Sequence, residues 1–338
     1  MKRCVPLLGC LAIGLASAPA LATYGTGDPS LWHPLRKAVT DVGLDIDRLY
    51  WGILLLTGAV FIAVQLLLLY FTFRYRAVPG GKAKFIHGNN KLEAIWTIIP
   101  SVILVLIAAL SKSTWDEIRF DAPTSDDTVR IECVAQQFAW YFRYPGNDGQ
   151  FGPRNAVALA EARANNDLSD PIMVDREAIP ANWTGENPPG ADDYTNQAEL
   201  RIPADRPVRI LLTSNDVLHS FFVPEFRVKH DAVPGMNGGR LWFEVPWENV
   251  KSHGYFDLVC AELCGLQHYS MRGRIIVMPT GPINPEALAK DAATWLAEYD
   301  DDEFAVRDWL DKQTWETYVH VMSKITLAQQ TASDDEGY

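Results

Sequence analysis

The chain has 338 residues, enough for one sizeable domain with appendages. Its 42 acidic residues against 30 Lys and Arg give a formal net charge of −12, which repels phosphate and excludes nucleic acid as a partner while suiting a basic soluble one. Of five cysteines, Cys4 and Cys10 fall in a predicted export signal, and the three others are too few for a disulfide framework; no C-x-x-C-H run occurs, so covalent haem is not expected on this chain.

Lys2 and Arg3, the apolar run Cys4 to Ala18 and the small-x-small site Ala20-Leu21-Ala22 predict a cleaved export signal over residues 1–22, with the mature chain beginning at Thr23. Cys133, Cys260 and Cys264 are then the cysteines that remain. Two membrane spans are predicted in a hairpin over residues 23–115. Trp51 to Phe73 carries no charge, and Leu92 to Leu110 is interrupted only by Pro100, a break that a membrane bundle tolerates. Tyr50, Trp51, Tyr70, Tyr75, Trp96 and Trp115 mark the interfaces. The connecting loop holds Arg74, Arg76, Lys82, Lys84 and Lys91 and no acid. By the positive-inside rule it is cytoplasmic, so both flanks lie across the membrane. The export signal requires the same topology.

From about Asp116 to residue 280 the pattern changes to short strands. Thr128–Val134, Val208–Thr213, Arg240–Val245, Tyr255–Val259 and Arg274–Met278 are rich in β-branched and aromatic residues, the signature of a sandwich or barrel. Residues 147–198, rich in Pro, Gly, Asn and Asp, read as a long insertion. Residues 281–338 form an acidic helical extension in which Leu288, Ala292, Trp295, Leu296 and Tyr299 share one helical face. Its Trp309, Trp315, Tyr318 and Met322 predict docking either on a neighbouring subunit or back on this domain.

Chemistry concentrates in Cys260-Ala-Glu262-Leu-Cys264-Gly-Leu-Gln-His268-Tyr-Ser-Met271. Two thiols, an imidazole and a thioether within twelve residues form a soft donor set that favours copper over hard cations. The best candidate for the second imidazole is His219, just after a predicted strand. One copper needs one thiolate; a second thiolate allows two bridging sulfurs and a metal pair, with Met271 and the Glu262 carbonyl as weak outer donors. A Cys260–Cys264 disulfide and a zinc site are the alternatives, although zinc does not call for methionine.

These residues resemble those of cytochrome c oxidase subunit II. The shared patterns are D-V-x-H-S-F over Asp216 to Phe221, V-K-x-D-A-x-P-G over Val228 to Gly235, and C-x-E-x-C-G-x-x-H-x-x-M over Cys260 to Met271, after two membrane helices. The resemblance implies a two-helix transmembrane hairpin followed by an all-β cupredoxin-like Greek-key sandwich. It implies a dinuclear CuA centre bound by His219, Cys260, Glu262, Cys264, His268 and Met271, with magnesium shared with subunit I through the Glu262 side chain. It also implies a haem-bearing subunit I and other oxidase subunits as partners, cytochrome c or a cytochrome c domain of a partner complex as donor, and surrounding membrane lipid. The expected location is a bacterial inner membrane, with the copper domain in the periplasm.

Glu93 matches the family run E-x-x-W-T-x-x-P, where the glutamate marks the cytoplasmic mouth of a proton channel; Asn90-x-x-Glu93 is equally a capping-box arrangement. Where the family has Q-W-x-W, with the first Trp accepting the electron, this chain has Gln137-Phe138-Ala139-Trp140-Tyr141. Phe138, Trp140 and Tyr141 are therefore the candidates for electron acceptance. Asp216 and Asp231 match positions that attract donor lysines. The other classes compatible with these residues are a copper-bearing nitric oxide reductase subunit and a non-catalytic copper-binding membrane protein.

Overall fold

The computed structural model describes residues 38–82, 85, 87–120, 122–154, 165, 190–236, 241–250 and 255–335. The export signal, the predicted start at Thr23, Lys84, Arg240 and most of the insertion lie outside them.

Two long apolar helices come first, α1 (Asp41–Arg74) and α2 (Asn90–Arg119), each long enough to cross a bilayer and with its apolar window bare of protein cover. Both outrun the predicted spans, because polar turns continue the helices beyond the apolar stretch. The cap of α2 is Asn89, whose side chain accepts from the Lys91 and Leu92 amides at 3.1 and 3.2 Å. The capping box expected at Asn90 is thus not formed.

The sandwich contains β1 (Val129–Gln136), β2 (Ala139–Tyr144), β3 (Tyr194–Gln197), β4 (Glu199–Pro203), β5 (Val208–Ser214), β6 (His219–Val223), β7 (Val228–Ala232), β8 (Leu241–Phe243), β9 (Tyr255–Cys260) and β10 (Arg272–Met278). A four-residue helix, α3 (Trp247–Val250), lies between β8 and β9. One sheet has the order β3-β2-β1-β5-β8 and the other β4-β10-β9-β6-β7. The β1–β5 and β4–β10 pairs are parallel, so the chain crosses between sheets as in a Greek key. Alternate residues of each sheet meet between them: Ile131, Cys133, Trp140, Phe142 and Ile210 face Leu200, Ile202, Phe221, Leu258 and Ile275, all at 0% exposure. Each such side chain contributes about 1.5–3 kcal/mol by leaving water.

The hairpin is bolted to the sandwich. Val39 N–H donates to the Glu225 carbonyl and Thr40 Oγ1 to the Phe226 carbonyl, both at 3.0 Å, while Asp47 takes a two-pronged pair from Arg227 at 2.7 and 3.0 Å. Gly43 is required at this junction, because a Cβ there would fall 2.6 Å from Thr40 Oγ1. At the other helix, Trp242 Nε1 donates to the Glu117 carbonyl at 3.3 Å.

The C-terminal segment folds back on its own domain. It forms α4 (Pro285–Ala289), α5 (Ala292–Asp301), α6 (Glu303–Leu310) and α7 (Trp315–Asp335). Tyr318 reaches Asn196 of β3 at 2.6 Å, and Arg201 of β4 lies 4.9 Å from the Tyr318 ring centre while pairing with Asp311. Asp291 caps α5 through the Thr294 amide, which divides the predicted continuous face; Leu288 is left 55% exposed. The insertion is also shorter than its sequence suggested. Residues 194–197 form β3, hydrogen-bonded to β2, despite the polar composition of Tyr194-Thr-Asn-Gln197.

Candidate metal centre

Three connections meet at one end of the sandwich: the β1–β2 turn at Gln137 and Phe138, the β5–β6 loop at 215–218, and the β9–β10 loop at 261–271. Strand β6 opens on His219 and β9 closes on Cys260, with Phe221 opposite Cys260 in register. The Ala261 amide bonds the Ser220 carbonyl at 3.0 Å, and the Cys260 amide bonds the Met271 carbonyl at 3.2 Å. These bonds fix both ends of the long loop. A 3₁₀ turn over His268–Ser270 then directs His268 and Met271 inward.

The donors converge. His219 Nδ1 lies 3.9 Å from Cys260 Sγ, and His268 Nδ1 lies 3.5 Å from Cys264 Sγ. The two sulfurs are 3.8 Å apart, Met271 Sδ is 3.8 Å from Cys264 Sγ, and the Glu262 carbonyl is 3.2 Å from Cys260 Sγ. His219, Cys260 and Cys264 place their donor atoms within 4.8 Å of one another, all buried. Both cysteines are free, and their spacing is far beyond the roughly 2.05 Å of a disulfide bond, so no such bond joins them in this structure. Two sulfurs this far apart can each lie about 2.3 Å from a shared ion at a near-tetrahedral angle. Each thiol has its own imidazole, and the set is soft enough for copper. The residues fit a metal pair.

Electrostatics support the same arrangement. Burial raises the Cys260 thiol, but hydrogen bonding to His219 and to backbone groups of Ser220 and Glu262 overcomes it and brings the pKa down to about 6. Cys264 is pushed up to about 12 by burial and by the charge of Cys260 beside it. Bridging by cations relieves that repulsion. Cys133 sits in the core on β1, where burial, and after it the charge of Glu132, keeps its thiol protonated.

Asp216 lies behind His219. Its carboxylate accepts from His219 Nε2 at 2.8 Å, from the Val217 amide at 2.7 Å and from the Gln137 amide at 2.6 Å, with the side chain 15% exposed. A proton held on Nε2 by this bond leaves the Nδ1 lone pair turned toward the sulfurs. Asp231, by contrast, is exposed and lies 3.4 Å from Lys229. The Glu262 side chain is exposed, as is Glu93 in the first turn of α2, remote from the cluster in sequence and element.

The aromatic candidates separate. Trp140 is wholly buried and meets His219 and Phe221 edge-on at ring separations of 6.2 and 5.8 Å. Phe138 and Tyr141 are half-buried. Phe138 packs on the metal loop: a Cβ on Gly265, whose φ is +136°, would come 3.0 Å from the Phe138 ring. Gln137 joins the set although sequence reasoning did not single it out. Its side chain donates to the Cys264 carbonyl and its backbone to Asp216. Only its place beside the aromatic run gave a signal.

A membrane hairpin bearing a Greek-key sandwich, with paired thiols and paired imidazoles at one end, defines a membrane-anchored metalloprotein of the cupredoxin type. Residues 33–113 match the family model for the transmembrane domain of cytochrome c oxidase subunit II, and residues 169–278 match its periplasmic domain. An alternative cytochrome c oxidase subunit 2 from Bradyrhizobium diazoefficiens is 33% identical over 74% of this chain and 80% of its own. Cytochrome c oxidase subunit 2 from Cereibacter sphaeroides is 30% identical over 88% of this chain and 93% of its own. The crystallised periplasmic domain of subunit II from Bradyrhizobium japonicum aligns at TM-score 0.28 and 24% identity, over 47% of this chain and 88% of that one. The chain belongs to the cytochrome c oxidase subunit II family. It is a membrane protein with a periplasmic domain and a subunit of an oxidoreductase complex, and membership implies CuA copper and association with other oxidase subunits.

Proposed function

We propose that this chain accepts single electrons from a cytochrome c, or from a cytochrome c domain of a partner complex, and passes them to haem in subunit I of a bacterial inner-membrane oxidase. Cys260 and Cys264 would supply the two thiolates, His219 and His268 the two imidazoles, and Met271 and the Glu262 carbonyl the weak outer donors that would hold a copper pair here. Copper bound there would supply reversible one-electron transfer with little geometric change on reduction. The protein's part is to hold the donors rigid, which the β9–β10 anchoring bonds support, and to keep water from the buried thiolates.

Asp216 acts as a positioning residue for His219, and its four internal hydrogen bonds leave Asp231 as the better carboxylate for a donor lysine. Phe138, beside Cys264 at the edge of the loop, takes the donor-facing place. Trp140 touches His219 from inside and has no surface to present; Tyr141 is the remaining partly exposed aromatic. The exposed Glu262 carboxylate is available to a magnesium ion shared with subunit I. Glu93, exposed near the cytoplasmic end of α2, suits a channel mouth. Lipid covers the bare faces of α1 and α2.

The observation that carries this reading is the facing of each thiol by its own imidazole across a sulfur pair. Replacing Cys264 with Ser tests it. The assembled oxidase should keep at most one copper in this subunit and lose donor-driven turnover by more than a hundredfold; unchanged copper content and turnover would refute the bridging role.

A further inference from the structure

The end of the sandwich opposite the metal cluster holds an open cleft of about 520 Å³ where the starts of β1, β3 and β5 meet the end of β2 and the first turns of α7. Its lining includes Arg130, Arg206 and Arg209, the core aromatics Tyr144, Tyr194 and Trp315, and Asp126. This is a concentration of positive charge in a chain whose formal net charge is −12.

Arg206 is accounted for, since it pairs with Asp127 at 2.8 Å and Glu316 at 3.6 Å. Arg130 and Arg209 are not. They are register partners on the parallel β1–β5 pair, so two guanidinium groups stand abreast on one face, where like charges repel. Arg130 donates to the Gly149 carbonyl at 2.9 Å, and among the described residues neither arginine has a carboxylate partner. Arg209 Nε is buried with no hydrogen-bond acceptor, a deficit that native interiors rarely leave unfilled. Tyr144 and Tyr194 stack at 4.7 Å with planes 8° apart and, with Trp315 6.0 Å from Tyr144, belong to the core, each exposing 5% or less.

We propose that this cleft binds a small soluble organic anion through a phosphate or carboxylate head held by Arg130 and Arg209. Guanidinium forks match such heads with paired hydrogen bonds, and the cleft volume is that of a small-ligand site. The lining residues lie outside both membrane helices, so the geometry favours a soluble anion over a lipid headgroup. The site does not depend on the copper reading.

Isothermal titration of the purified oxidase in neutral detergent tests this with two probes, inorganic phosphate and phenyl phosphate. Phenyl phosphate should bind once per subunit, and inorganic phosphate should displace it from the same site. Arg130→Gln, an exposed change, and Arg209→Gln should each weaken phenyl phosphate binding at least tenfold, while Arg272→Gln on β10 leaves it unchanged. Repeating the titration in nanodiscs of phosphatidylglycerol and of phosphatidylcholine should give equal affinities. The proposal is overturned by three results: no saturable phenyl phosphate binding, affinity unaltered by both arginine changes, or loss of binding only in the anionic lipid.

Discussion

Replacing Asp216 with Ala removes the carboxylate that holds His219, and the structure sets the size of the effect. Three donors lose their acceptor, the amides of Gln137 and Val217 and His219 Nε2. Each orphaned donor costs about 1–3 kcal/mol, and with the side chain partly reached by solvent the low end applies, so stability should fall by about 3 kcal/mol. Copper affinity should fall about 10- to 100-fold, the usual cost of losing a partner behind a metal-binding histidine. Asp216→Asn retains the shape and an acceptor oxygen but not the charge, so it should recover most of the stability and less of the affinity. Guanidinium unfolding of the whole chain in detergent gives the first quantity, and copper competition against a chelator gives the second. If Asp216→Ala unfolds and binds copper like the parent chain, the positioning role is wrong.

Protons should compete with copper at the same pair. Burial pulls the His219 pKa down, but hydrogen bonds to and the charges of Asp216 and Cys260 together outweigh it and leave the value above the ordinary 6.5. The protonated pair therefore stabilises the copper-free fold at low pH and loses that contribution as pH rises through the raised value. Copper needs the neutral ring, so apparent affinity should already decline as pH falls toward 6.5, by about tenfold per pH unit for each proton displaced; a flat titration from pH 8 to 6 would contradict this. In the C-terminal segment, Tyr318→Phe should cost about 1 kcal/mol through the lost bond to Asn196, and Tyr318→Ala about 3–5 kcal/mol, by denaturant unfolding. Arg227→Ala should destabilise the hairpin–sandwich junction by about 2 kcal/mol, because its two bonds to Asp47 are largely shielded from solvent. Equal melting of parent and variant would deny that junction.

Much of this molecule was legible because its strongest signals are local. A charge-free run such as Trp51 to Phe73 is a span by length alone, and two cysteines, a histidine and a methionine within twelve residues announce a soft metal. Strands rich in Val and Ile were legible for the same reason. Strand β3 was not: Tyr194-Thr-Asn-Gln197 has no apolar alternation, and it is held by pairing to β2 and by Tyr318, 122 residues away. Strands β6 and β7 carry polar residues at the metal end and were visible only as motif. Leu288 misled because helical periodicity was read through Asp291, a cap that divides the helix. Asp216 resembled a docking acid in sequence, and only the fold brings Gln137 and His219 onto its carboxylate. The arginine cleft depends on register across β1 and β5, which sequence spacing does not convey.

The claim on which the account rests is that two sulfurs clasp two coppers. Electron paramagnetic resonance of the copper-loaded whole chain, together with metal analysis, measures this directly. Two coppers per chain and a spectrum split by both copper nuclei are the predicted result. One copper per chain with splitting from a single nucleus would contradict it.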